Sequence, residues 1–252
     1  GPVRHRTAHR GVQLRGHAGT VRRYRHLFFD LDHTLWDFRA NSRHVLQELH
    51  RELGLEALGV PDADAFVEVY EEINTGLWKR YERGHLPKEV MRVLRFRNTL
   101  LTFGVKERGL SERLGHEYLE RTPRREGLFP GALRLLEDLR PHYGLHIITN
   151  GFAATQLTKL RQSRLEHLFD VVLSSEVAGA SKPMPDIFHK ALAQAGATVE
   201  ESLMIGDSID ADMAGARAVG MDHAHFAPEG ELDPEATYRI RALDELRPVL
   251  LG

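Results

Sequence analysis

The sequence predicts an α/β protein, a Rossmann-like parallel sheet interrupted after its first strand by an α-helical insertion. Three observations predict it. From Pro130 onward short apolar runs alternate with amphipathic helical patterns, which argues for a parallel sheet with helices on both faces. The runs are almost continuously apolar, as strands covered on both sides are. Between Asp37 and about Glu126 apolar residues recur at helical spacing alone.

Taken in order, Gly1 to His26 stands apart. It carries Arg4, Arg6, Arg10, Arg15, Arg22, Arg23 and Arg25 with four His and four Gly, no acidic residue and almost no apolar periodicity. A nucleic-acid arm or a transit peptide has such a composition. The expected reading of residues 1–23 is plainer: an unstructured extension, a mis-assigned start or a cloning remnant, suggested by Gly1-Pro2 in place of Met. The first strand is Leu27 to Leu31. Asn41 or Ser42 then caps a helix carrying Val45, Leu46, Leu49 and Leu53 that ends at Gly54. After Pro61 and Asp62 the residues Phe66, Val69, Tyr70, Ile73, Leu77 and Tyr81 form a second helix, which stops near Gly84. A third follows Pro87 with Val90, Met91, Leu94, Leu100, Leu101 and Phe103, and a fourth follows Ser111 with Leu114, Tyr118 and Leu119.

The remaining strands are His146 to Ile148, Val171 to Leu173, Leu203 to Ile205 and Ala224 to Phe226. Helices lie between them at Ala132 to Arg140, Thr155 to Leu168, Asp186 to Ala195 and Asp210 to Val219. The chain thus divides into the extension 1–23, a core of 24–36 and 127–252, and the helical insertion 37–126. There are no internal repeats.

Composition narrows the function classes. The 252 residues, 42% hydrophobic, are enough for one large domain or a core with an insertion. Lys+Arg 34 against Asp+Glu 36 gives a formal charge of −2, so no global basic field draws nucleic acid. The absence of cysteine excludes disulfides, thiolate metal sites and Cys nucleophiles, and fits a reducing interior. No apolar run approaches the roughly 20 residues of a membrane span. The expectation is a soluble, cytoplasmic protein, monomer or homodimer, that binds neither nucleic acid nor membrane.

The chemistry is written at the strand ends. Side chains two apart on an extended chain share a face, so Asp30 and Asp32 project the same way where the first strand gives out. Two carboxylates this close raise each other's proton affinity and ask for a cation, most simply Mg²⁺. One Asp could attack phosphorus while the other, protonated, serves the leaving oxygen. An Asp-rich turn at a strand end is the bland alternative. Three later features bear on the choice. Thr149-Asn150-Gly151 supplies a hydroxyl, an amide and a flexible turn at the end of the second strand. Lys182 is a lone cation before Pro183. Gly206 through Asp212 places Asp207, Asp210 and Asp212 at the start of a helix. Asp210 also reads as a first-turn acid favoured by the helix dipole.

In this order the four features resemble the motifs of the haloacid dehalogenase (HAD) superfamily, over residues 24 to 252. For its phosphatases the resemblance implies that Asp30 is the nucleophile, forming an aspartyl-phosphate, and Asp32 the general acid and base. It implies that Thr149, with Asn150 and Gly151, binds the phosphoryl oxygens. Lys182 would neutralise the nucleophile and the phosphoryl group. Asp30, the Asp32 backbone carbonyl and Asp207 would hold Mg²⁺, and Asp212 would orient Lys182 or a metal-bound water. The helical insertion resembles the cap of one HAD subclass, which closes over the site.

Phe28-Phe29-Asp30-Leu31-Asp32, Asn74, Leu77-Trp78, Tyr81, Arg95-Phe96, Ile147 through Phe152 and Leu203 through Asp207 together resemble the pyrimidine 5′-nucleotidase branch, which hydrolyses UMP, dUMP, dTMP and noncanonical pyrimidine nucleotides. The implied substrate is a small phosphorylated metabolite, a nucleotide. His33 departs from the residue that relatives in this branch often carry, and its side chain could edge the substrate entrance. One of Trp36, Phe38, Trp78 and Tyr81 could stack on the base, although Trp78 and Tyr81 also read as core of the insertion. Arg95 is either a contact to the leaving group or part of a solvated helix face. Thr34 reads as a turn-stabilising hydroxyl. Other readings remain at this point: a sugar-phosphate phosphatase or phosphomutase, a dehalogenase, against which Asp32 argues, and a non-enzymatic binding or regulatory protein on the same fold.

Overall fold

The computed structural model describes residues 24–252. The basic stretch 1–23, with its expected roles, lies outside the described residues, but Tyr24 and His26 belong to the fold. Tyr24 is buried and His26 opens the first strand.

Among the described residues six strands form one parallel sheet: β1 (His26–Phe29), β2 (Gly144–Thr149), β3 (Val171–Ser174), β4 (Ser202–Gly206), β5 (Asp222–Phe226) and β6 (Tyr238–Ile240). Their order is β3-β2-β1-β4-β5-β6, with every pair parallel. The chain therefore builds outward from β1 to β3, then returns to the other side of β1 for β4. That reversal is the switch point beyond whose strand ends ligands bind in open α/β sheets.

The alternation of side chains along β1 sorts the core into two layers. Leu27, Phe29 and Leu31 pack with Leu145, Ile147, Leu203 and Ile205 under α5 (Ala132–Leu139), α6 (Ala153–Gln162) and the carboxyl-terminal helix α10 (Arg247–Leu250). Phe28, Ile148, Leu173 and Met204 face the opposite way, under α8 (Pro185–Ala195) and α9 (Ala214–Ala218). A short helix, α7 (Ser175–Ala178), follows β3. Each such fully buried side chain stabilises the fold by about 1.5–3 kcal/mol.

The segment after β1 is helical, with α1 (Phe38–Glu52), α2 (Ala63–Glu82), α3 (Lys88–Thr102) and α4 (Leu110–Arg121). These pack on a cluster of their own that includes Val45, Leu49, Phe66, Tyr70, Phe96 and Leu114. The helix expected from Asn41 or Ser42 starts earlier, because the Asp37 carboxylate accepts from the Ala40 amide and caps it. Asn41 is instead buried, bonding Gly127 in both directions (2.8 and 3.2 Å), and Ser42 pairs with the Tyr118 hydroxyl at 2.8 Å. Val90 and Leu101, expected among the apolar positions of α3, face solvent.

Two further expectations are corrected in the sheet layer. The helix expected over Thr155 to Leu168 stops at Gln162. Arg164 takes φ 59°, and the Leu165 amide donates back to the Leu160 carbonyl, a Schellman-type stop without its usual glycine. The helix expected over Asp210 to Val219 begins as a π-helical turn, Ile209–Met213, before α9. β6 lies beyond the strands that the sequence predicts.

Candidate active site

The carboxyl ends of β2, β1 and β4 bring Thr149, Asp30 and Asp207 side by side, and the loop before α8 carries Lys182 in to meet them. These residues floor a cavity of about 530 Å³, whose opposite wall is formed by α1 and α2 through Phe38, Tyr70, Asn74 and Trp78.

Lys182 is 3% exposed and uses all three of its protons. It donates to Asp30 Oδ1 at 2.8 Å, Asp212 Oδ1 at 2.6 Å and the Ile148 carbonyl at 2.8 Å. Burial alone would lower this ammonium's pKa, but the charges of Asp212 and Asp30 and their hydrogen bonds hold it above the ordinary lysine range. Asp30 is pushed up to about 7 by burial, with Lys182 pulling it down and the Asp212 charge raising it. Asp207 is raised well above the carboxylate range, by burial first and then by Asp30 and Asp212.

Carboxylate oxygens of Asp30, Asp207 and Asp212 lie within 4.8 Å of one another. Three carboxylates, Asp30 and Asp212 buried and Asp207 half-buried, share one lysine, and two hold their protons abnormally tightly; such a donor set suits a hard divalent cation. Asp212 gives Oδ1 to Lys182 and Oδ2 to the Ser208 amide (3.1 Å), so Asp30 and Asp207 are the groups left to face a cation. Gly206 is required behind them, since a Cβ there would stand 2.2 Å from Asp212 Oδ2.

Asp32 lies apart from this cluster in its bonding. Its carboxylate receives Lys159 Nζ at 2.6 Å and Gln156 Nε2 at 3.1 Å, both from α6. Lys159 is itself buried, with its ammonium 4.4 Å from the Trp36 ring centroid. The same Gln156 nitrogen donates to Thr149 Oγ1 at 2.7 Å, and the Gly151 amide donates to that oxygen at 3.0 Å. Thr149 Oγ1 thus accepts twice and keeps its own proton for a third group. Gly151 also lets α6 approach closely, for a Cβ would meet Gln156 Cδ at 2.5 Å.

Asn150, expected to help bind the phosphoryl group, has its amide already engaged. Oδ1 accepts from the Lys182 amide (2.8 Å), while Nδ2 donates to the Lys182 carbonyl and to Glu82 of α2, each at 3.0 Å. It fixes the Lys182 backbone and ties the helical segment to the floor. Asp210 is exposed and outside the cavity, as the first-turn reading has it. Thr34 does more than hold a turn, because its hydroxyl donates to Asp207 Oδ1 at 3.3 Å.

Trp36 is fully buried behind the cavity with its indole donating to the Arg125 carbonyl, which rules out base stacking by this residue. Tyr81 packs on Phe152 and is not in the cavity wall; Trp78 packs there too but does line the cavity, as Phe38 does. Arg95 is 4% exposed, so the solvated-face reading fails.

Sequence reasoning missed Gln156, Lys159 and His225. The first two sit three apart on one face of α6, a spacing that could have drawn attention. His225 Nδ1 accepts from the Asp233 amide at 2.9 Å, which leaves Nε2–H to donate to the Asp207 carbonyl at 2.9 Å and fix that residue's backbone.

Comparison with known proteins identifies the family. The family model for haloacid dehalogenase-like hydrolases matches residues 24–220. YfnB of Bacillus subtilis, named for the HAD-hydrolases, is 34% identical over 91% of this chain and 97% of its own. Its crystal structure, bound to magnesium, matches with a TM-score of 0.82 at 32% identity, covering 91% of this chain and 100% of that one. The pyrimidine 5′-nucleotidases PynA of Streptococcus pneumoniae and YjjG of Escherichia coli are 33% and 31% identical, over 88% and 89% of this chain and 93% and 96% of theirs. A phosphoserine phosphatase of Thermus thermophilus stands at a similar 33%. This chain belongs to the haloacid dehalogenase-like hydrolase family.

Proposed function

We propose that this HAD-type phosphatase hydrolyses pyrimidine nucleoside 5′-monophosphates such as UMP, dUMP and dTMP, with Mg²⁺, through an aspartyl-phosphate on Asp30. One observation carries the reading of the chemistry: the two carboxylates after β1 have separate partners, Asp30 with Lys182 and Asp32 with Lys159 and Gln156. Separate partners suit separate roles.

In the first half-reaction an Asp30 oxygen attacks phosphorus in line. The bond from phosphorus to the ester oxygen breaks, and Asp32 gives that oxygen its proton. In the second, Asp32 takes a proton from water as the water attacks the phosphorus, releasing inorganic phosphate and restoring Asp30. Lys159 and Gln156 hold the Asp32 carboxylate in place for both steps. Thr149 Oγ1–H donates to a phosphoryl oxygen. Lys182 neutralises Asp30 and, with Asp212, keeps it aimed. Mg²⁺, held by Asp30, Asp207 and the Asp32 backbone carbonyl, would offset charge on the phosphoryl oxygens.

In this reading residues 37–126 act as a cap domain over the core of 24–36 and 127–252, excluding water and choosing the leaving group. The aromatic wall of Phe38, Tyr70 and Trp78 and two nucleotidase relatives favour a nucleoside over a sugar or serine leaving group. A panel of nucleoside monophosphates, sugar phosphates and phosphoserine with Mg²⁺ tests this. Pyrimidine nucleotides should give the highest kcat/KM, and a sugar phosphate or phosphoserine in first place would overturn the substrate assignment.

A further inference from the structure

Arg95, on α3, carries a charge it cannot lose, and buried arginines are ordinarily paired. This one is 4% exposed, and among the described residues no carboxylate stands within 4.0 Å of it. Its Nε and Nη2 make no hydrogen bond of good geometry, although the Tyr70 hydroxyl, itself without one, lies near enough to interact with the guanidinium. What steadies it is aromatic: the guanidinium lies 4.9 Å from the Tyr118 ring centroid and 5.6 Å from that of Phe96.

Arg95 lines a second cavity, of about 50 Å³, where α3 and α4 meet α6. Asp32, Phe38 and Trp78 belong to its wall and to that of the main cavity, so the two adjoin beside the candidate acid. A water needs roughly 10–15 Å³ of such space, so this cavity has room for more than one. Two more buried atoms of this wall have no partner, Thr122 Oγ1 and Gln156 Oε1. The orientation of Gln156 is fixed, because its nitrogen serves Thr149 and Asp32, and the reverse orientation would set a carbonyl against the Asp32 carboxylate. Its oxygen is therefore a true unused acceptor.

These groups select a ligand chemistry. An apolar group would leave all three unsatisfied. An anion would pair with Arg95 but meet Gln156 Oε1 and the Asp32 carboxylate. A ring carbonyl next to a ring N–H satisfies both kinds of atom. We propose that the small cavity is a leaving-group subsite in which Arg95 donates to a ring carbonyl, Gln156 Oε1 accepts from the adjoining ring N–H, and the Thr122 hydroxyl bonds the same edge. The proposal rests on the nucleotide reading above, since the uracil and thymine edge has this pattern.

The test compares UMP, 3-methyluridine 5′-monophosphate and phenyl phosphate as substrates of the full chain with Mg²⁺. For the wild type, N3 methylation should lower kcat/KM about tenfold or more, with no mutation involved. Arg95→Met should lower the ratio of kcat/KM for UMP to that for phenyl phosphate about 10- to 100-fold, mainly through KM, as expected for a lost charge-assisted hydrogen bond. Equal use of UMP and its methylated form, or an unchanged ratio in Arg95→Met, overturns the subsite alone. Wild-type turnover of UMP no better than phenyl phosphate overturns the nucleotide reading and the subsite with it.

Discussion

At the floor of the main cavity Lys182 gives every proton to the protein, whereas in the neighbouring wall Arg95 leaves two nitrogens without a hydrogen bond. The two cations are buried alike, at 3% and 4% exposed. The floor is completed by Asp30, Asp212 and a strand carbonyl, so its geometry is set before substrate arrives. The wall around Arg95, Thr122 and Gln156 is complete only when something else enters. Chemistry profits from groups that need no rearrangement at the moment of reaction. Recognition profits from groups whose burial cost is relieved by the right ligand and by no other.

The largest expected effect lies at the floor. Asp30→Asn should reduce turnover at least about a thousandfold, as loss of a nucleophile does, without lowering the melting temperature, since it takes one charge out of a crowded acidic cluster. Activity within tenfold of wild type would break the assignment. Lys182→Met sharpens the contrast with the wall. It leaves Asp30 and Asp212 buried without their counter-ion and should cost about 3 kcal/mol or more in chemical denaturation, whereas Arg95→Met removes an unpaired buried charge and should cost little. Equal losses would show that the two cations are structurally equivalent.

A smaller effect follows from the raised pKa values of Asp30, about 7, and Asp207. The folded state holds these protons more tightly than the unfolded chain. The stability they contribute is full below the unfolded carboxylate range and is lost as pH rises through their raised values, about 7 for Asp30. Mg²⁺ then has fewer protons to displace, so its stabilising thermal shift should be larger at about pH 8 than at about pH 6. The reverse order would place the cation elsewhere. The smallest effect is at the end of α6, where Arg164→Gly should stabilise by at most about 1 kcal/mol by relieving a left-handed residue.

The floor was legible in the sequence because its residues stand at strand ends, where an apolar run stops and a polar group begins. Asp30, Thr149 and Asp207 are all announced this way, and their meeting follows from parallel strands alone. Lys159 and Gln156 were not legible as partners of Asp32, because only the docking of α6 against the loop after β1 joins them. Arg95 offered two readings, and its burial between helices, which composition does not encode, separates them. The end of α6 is hidden in the sequence because Arg164 occupies the position where a glycine would signal a stop. β6 has three residues, too few to give a period.

The account stands most directly on a phosphoryl group carried by Asp30. Rapid acid quenching during turnover of UMP labelled in its phosphate, followed by proteolysis, should leave label on the peptide that contains Asp30, and no such label in Asp30→Asn. Product formation at full rate with no protein-bound label, or label on another peptide that persists in Asp30→Asn, would contradict it.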